Sequence, residues 1–146
     1  MSALLEVDGL SVAYGHIEAI KGVSFRLRGG AITALVGANG AGKSTTLLAL
    51  SGLLRPTAGR VVFDGEDISR LPAHRIVRRG IVQVAEGRAI LTSLSVRENL
   101  ALGAYTRRDR AGVGETLAQV FHLFPALEQR AAQYAGNLSG GEQQML

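Results

Sequence analysis

Cysteine is absent from the 146 residues, which excludes thiol catalysis and cysteine-ligated metal sites. It agrees with a reducing compartment without demanding one. Long apolar runs are missing as well. The longest stretch free of charge, Gly29 to Gly42, is too short and too rich in glycine to span a bilayer, and no basic, apolar leader opens the chain at Met1, Ser2, Ala3 and Leu4. A cytosolic protein is expected. No internal repeat or low-complexity tract is present, and lysine is scarce, with Lys21 and Lys43 set against fourteen arginines. What remains, 47% apolar and 19% charged residues, is the composition of one globular domain with a real core. The excess of four positive charges suits nucleotides or an acidic lipid surface, and equally a solvated basic face.

One of the two lysines stands where a particular chemistry needs it. Gly37, Ala38, Asn39, Gly40, Ala41, Gly42, Lys43 and Ser44 form the phosphate-loop pattern of two glycines bracketing four residues' spacing, then Lys and Ser. The apolar run Ala31 to Val36 before it reads as a strand, and Thr45 to Leu50 after it as a helix. Glycines allow positive φ and close approach, so successive amide N–H groups can curl around phosphate oxygens at the positive end of the helix. Lys43 then supplies a mobile positive charge for the terminal phosphates, and the Ser44 hydroxyl can ligate a bridging Mg²⁺.

Upstream, Leu4 to Val7 opens a strand that Gly9 interrupts, and Leu10 to Tyr14 resumes it. Val23, Phe25 and Leu27 alternate with polar residues, predicting a half-buried strand that ends at Gly29 and Gly30. Downstream, residues 55 to 59 read as a turn, 60 to 63 as a strand, and Asp64 with Gly65 as a tight turn. A short basic helix over Ala73 to Arg79 precedes a buried strand at Ile81 to Val84, then a loop to residue 94. Ser95 and Glu98 make a capping box for a helix reaching about Tyr105. Residues 107 to 112 read as an exposed break, and Val113, Leu117, Val120, Phe121 and Phe124 recur at helical spacing. The resulting division is residues 1–94 as a β lobe with the phosphate-loop core, 95–138 as a helical part, and 138–146 as the start of a further helix.

That last stretch, Leu138, Ser139, Gly140, Gly141, Glu142, Gln143 and Gln144, is locally another capping box. Two glycines in a first helical turn cost about 1 kcal/mol each relative to alanine. They make sense if something must approach the backbone, and a serine hydroxyl with bare amides at a helix start can receive an anion.

GANGAGKST followed by LSGGEQQ resembles the nucleotide-binding subunit of ABC transporters, in which the second string is the signature motif. The resemblance covers the chain from Leu4 onward. It implies an α/β P-loop domain with an antiparallel β lobe and a helical subdomain, binding ATP and Mg²⁺. In that frame Tyr14 stacks on adenine; without it, Tyr14 is a tyrosine at a strand end. The frame places Gly37, Asn39, Gly40, Gly42, Lys43, Ser44 and Thr45 on the phosphates, and Ser139 and Gly141 on the γ-phosphate held by the opposite subunit of a head-to-tail dimer. Glu86, Gly87 and Arg88, with the run from Ala135 to Leu146, look most like the LivF-type ATPases of branched-chain amino acid importers. Permease subunits are then expected as partners, an external binding protein indirectly, and a location on the inner face of the cell membrane.

Departures from the family pattern are informative. Most relatives carry Gln where Glu86 stands; its carboxylate can ligate Mg²⁺ directly or through water, or be a solvated loop acid. Gln83 lies three residues early on an expected strand, and Ala85 replaces a usual Pro. Family members continue past the signature with the Walker B strand, its Asp, a catalytic Glu and a switch His, whereas this chain ends at Leu146. No substitute group for positioning water is evident, since His16, His74 and His122 fit ordinary surface or packing roles. The chain is expected to be the front part of a longer ATPase, inactive alone. Two alternatives remain: a nucleotide binder without hydrolysis, and an ABC ATPase acting on nucleic acid or ribosomes. The basic segments 75–79 and 107–110 lack interleaved aromatics, which gives the nucleic-acid reading little support.

Overall fold

The computed structural model describes residues 3–84, 87 and 89–146. Two compact units divide the chain, Met1–Gln83 and Val84–Leu146.

The first unit is built on a four-stranded antiparallel sheet in the order β2-β1-β3-β4, with β1 Leu5–Tyr14, β2 Ile17–Leu27, β3 Ala58–Phe63 and β4 Glu66–Asp67. In β1 the buried side chains are Leu5 and Val7, then Leu10 and Val12, two alternating pairs one residue out of phase. A bulge reconciles them: Val7 pairs with Phe25 and Leu10 with Val23, so β1 takes three steps where β2 takes two. Gly9, at φ 58, therefore bends the strand and does not end it. The strand that the alternation of Val23, Phe25 and Leu27 predicts starts earlier, at Ile17, because Val12 pairs with Ile20 and places a second irregularity on β2 at Gly22. Amides freed from the ladder find hydroxyls, Gly9 N–H donating to Ser24 Oγ at 2.8 Å and Gly22 N–H to Ser11 Oγ at 2.9 Å.

Helix α1, Lys43–Leu50, lays Ala49 and Leu50 into the core with Leu5, Val7, Leu10, Val12, Ile20 and Val61. Ile68 and Ile76, the latter on α2 (Ala73–Val77), complete that cluster. The β3–β4 hairpin turns through Asp64 (φ 47) and Gly65 (φ 78), the left-handed pair that tight hairpins require.

Two expected strands are not strands. Residues 31–36 and 81–84 pair with no strand among the described residues, and Ile32, Val36, Val82 and Val84 are exposed. Both have the composition of strands, but a ladder needs a neighbour with matching free backbone groups.

In the second unit, helices α3 (Val96–Gly103), α4 (Arg110–Leu123), α5 (Pro125–Gln129) and α6 (Gly140–Met145) are joined by a 3₁₀ turn at Ala135–Asn137. Val96, Phe121, Leu127, Ala131 and Leu138 form its core, with Leu100, Leu117 and Phe124 against them. The break expected over 107–112 is shorter, because Asp109 is the N-cap of α4 and holds Arg107 in a two-pronged ion pair at 3.0 and 2.6 Å. Residues 91–94 hydrogen-bond into this unit through Asn99, Ala135 and Gly136.

Candidate functional site

The phosphate-loop pattern occupies a turn that the sheet shapes. Gly40 (φ 82) and Gly42 (φ 90) adopt positive φ, whereas Gly37 does not. Gly42 is also the N-cap of α1, and a Cβ there would lie 3.0 Å from Ala19 O and 3.2 Å from Ile20 Cγ1. The loop thus rests against β2 beside its irregular segment, and only glycine fits the contact. Thr46, buried, donates its hydroxyl to Gly42 O at 2.9 Å and its amide to the same oxygen at 2.8 Å, fixing the junction of loop and helix.

Lys43 Nζ donates to Gly37 O and Ala38 O, both at 2.8 Å, which ties the ammonium across the loop's own entrance. The backbone N–H groups of Asn39, Gly40, Gly42, Lys43 and Thr45 have no acceptor among the described residues. Unpaired donors gathered at a helix start, with one cation among them, suit a polyanion. Ser44 follows in the first turn of α1. Tyr14, at the end of β1 and 48% exposed, has its hydroxyl 3.5 Å from Thr45 Oγ1. Tyrosine and loop, fourteen and thirty-seven residues into the chain, therefore come together in the first unit. Glu86 lies outside the described residues.

Ser139 and Gly141 belong to the second unit. Ser139 caps α6 reciprocally: its Oγ accepts from Glu142 N–H at 3.3 Å, and its own N–H donates to Glu142 Oε2 at 2.8 Å. Hydrogen bonds to its carboxylate from the Ser139 side chain first and then from the Ser139 N–H hold the Glu142 carboxyl below the usual range, and the Arg130 guanidinium at 3.1 Å adds to the effect. A Cβ at Gly141 would meet nothing within 4 Å, so packing within the chain does not call for glycine there.

Sequence reasoning overlooked Thr46 and the Ala19–Ile20 seat of the loop. The signal for Thr46 was a second threonine early in a helix, a weak helix former worth placing only if its hydroxyl has work. The seat had no signal, because it depends on which strand passes behind the loop. No helix is long and apolar enough to cross a membrane, and no cluster of His, Cys, Asp and Glu suits a metal, among the described residues.

A phosphate loop seated on an antiparallel lobe, with a capped Ser-Gly-Gly helix start in a helical unit, defines an ATP-binding cassette. The ABC transporter family model matches residues 20–146, and the chain belongs to that family. It is 43% identical over 98% of its length to the high-affinity branched-chain amino acid transport ATP-binding protein BraG of Pseudomonas aeruginosa, and covers 61% of that protein. To a probable branched-chain amino acid transport ATP-binding protein LivF of Archaeoglobus fulgidus it is 35% identical, covering 98% of this chain and 60% of the relative. Among solved structures, the ATP-binding subunit of an ABC transporter superposes with a TM-score of 0.84 at 30% identity, over 97% of this chain and 58% of that one. A nucleotide-free ATP-binding cassette from an ABC transporter gives 0.75 at 25% identity, over 98% and 62%. The chain thus spans about three fifths of the length of the relatives it matches.

Proposed function

We propose that the chain binds ATP through the loop at residues 37–45 and belongs to the ATPase of an importer for branched-chain amino acids. The observation that carries this is the set of amides on Asn39, Gly40, Gly42, Lys43 and Thr45, without acceptors among the described residues, around the Lys43 ammonium. Phosphate oxygens can take those donors while Lys43 exchanges its two carbonyl partners for the terminal phosphates. Gly37 shapes the entrance, Tyr14 receives the base, and Ser44 with Glu86 would hold Mg²⁺, which supplies charge neutralisation between the phosphates. Names of the relatives support the importer and its amino acid class.

Ser139 and Gly141 then meet the γ-phosphate bound by a second ATPase subunit, identical or similar. The open space over Gly141 supports this. Closure of two subunits is favoured by ATP because its terminal phosphate gains contacts from both sides only in the closed state, and permease subunits at the inner face of the membrane respond. Hydrolysis is proposed for the complete ATPase.

The test is equilibrium binding of ATP to the chain and to Lys43→Ala. Each lost charge-assisted hydrogen bond is worth about 1.5 to 3 kcal/mol, so affinity is expected to fall at least roughly tenfold. Equal affinity in the two would overturn the phosphate-loop assignment.

A further inference from the structure

Asn99, half-buried on α3, spends its whole side chain on one backbone segment. Its Oδ1 accepts from Leu91 N–H at 2.9 Å, and its Nδ2 donates to Leu91 O at 3.0 Å, Ser95 O at 3.0 Å and, more distantly, Leu94 O at 3.4 Å. An amide is the one side chain that offers an acceptor and two donors in a plane, which matches a backbone turn presenting both N–H and C=O. The same segment is bonded from its other side. Ala135 N–H donates to Leu94 O at 2.8 Å and Gly136 N–H to Thr92 O at 3.1 Å, while Val96 N–H and Arg97 N–H reach Gln133 O and Ala131 O at 3.0 and 2.9 Å.

Gly136 permits that closeness. A Cβ there would stand 3.1 Å from Thr92 O and 3.2 Å from Thr92 Cβ, so any side chain would push the two segments apart. Three residues later comes Ser139. Between them, Ala135 and Leu138 are buried, and Gln143 of α6 donates from Nε2 to Leu138 O at 3.2 Å and Ala135 O at 3.4 Å. Leu91, Thr92 and Ser93 are exposed.

We propose that Asn99 and Gly136 are positioning residues that clasp residues 91–94, the stretch that leads into α3, to residues 135–138, so that Ser139 is carried with that segment. A partner or ligand that displaces residues 91–93 then displaces the start of α6 with them, as one piece.

The clasp has its functional meaning only if Ser139 contacts nucleotide as proposed above, so the test separates the two. Backbone amide exchange of the chain is measured without nucleotide in Asn99→Ala and in Gly136→Ala, which strike the clasp from opposite sides. Loss of the clasp is expected to speed exchange at Ala135, Gly136 and the Glu142 cap roughly tenfold, with α4 amides such as Phe121 unchanged. Unchanged exchange at 135–142 in both variants, or uniform loss of protection that reaches α4, would overturn the proposal. Ser139→Ala, which leaves the clasp intact, tests the nucleotide contact instead, by loss of ATP-driven association of two subunits.

Discussion

Gly59 shows how a single residue can be fixed by a strand it does not precede or follow. At φ 89, its missing Cβ would collide with the backbone of Gly9 across the β1 bulge. Gly59→Ala combines left-handed strain with a backbone clash, and is expected to lower stability by at least about 2 kcal/mol in urea unfolding. A loss within experimental error would mean the bulge can shift. In the sequence Gly59 reads as part of a turn, because the residue that needs its bareness is fifty positions away. The phosphate-loop glycines were more legible. Their spacing with Lys43 encodes a local turn, and Gly40 and Gly42 do adopt the expected positive φ.

Elements defined by residues three or four apart were read most faithfully. Both capping boxes form, Ser95 with Glu98 and Ser139 with Glu142, since all their atoms lie within one turn. The break expected over 107–112 is too long because Arg110 and Gly112 have the composition of a loop, whereas α4 already starts at Arg110. Residues 31–36 and 81–84 failed as strands because pairing is non-local. The caps also set a pH dependence. Hydrogen bonds from Ser95 depress the Glu98 carboxyl, as those from Ser139 depress Glu142. A folded-state pKa below the unfolded one gives stability that is full above the ordinary carboxylate range, near about 4.3, and is lost as pH falls through the folded value. Melting temperatures of the chain and of Glu98→Gln should therefore differ at pH 7 and converge towards pH 3. A gap that stays constant over that range would show that Glu98 acts through something other than its charge.

At the scale of the whole molecule, the exposed apolar segments are the feature with the largest physical consequence. Ile32, Val36, Val82 and Val84 are each more than 70% exposed, on stretches whose composition favours strands. Unpaired, β-prone and apolar segments invite pairing with other chains. The chain is expected to self-associate as its concentration rises, and Val82→Lys with Val84→Lys to shift that onset upward in sedimentation velocity. Identical sedimentation of the two proteins would place the association elsewhere.

The division into two units also divides the charge. Met1–Gln83 holds ten basic and six acidic side chains, and Val84–Leu146 six of each. The entire positive excess therefore belongs to the unit that contains the phosphate loop. Its electric field gives a diffusing polyanion a preferred destination before any contact is made, and accelerates capture most in dilute buffer. At physiological ionic strength that reach shrinks to about 8 Å, so the proposed capture at the loop then depends on charges close to it, Lys43 first among them.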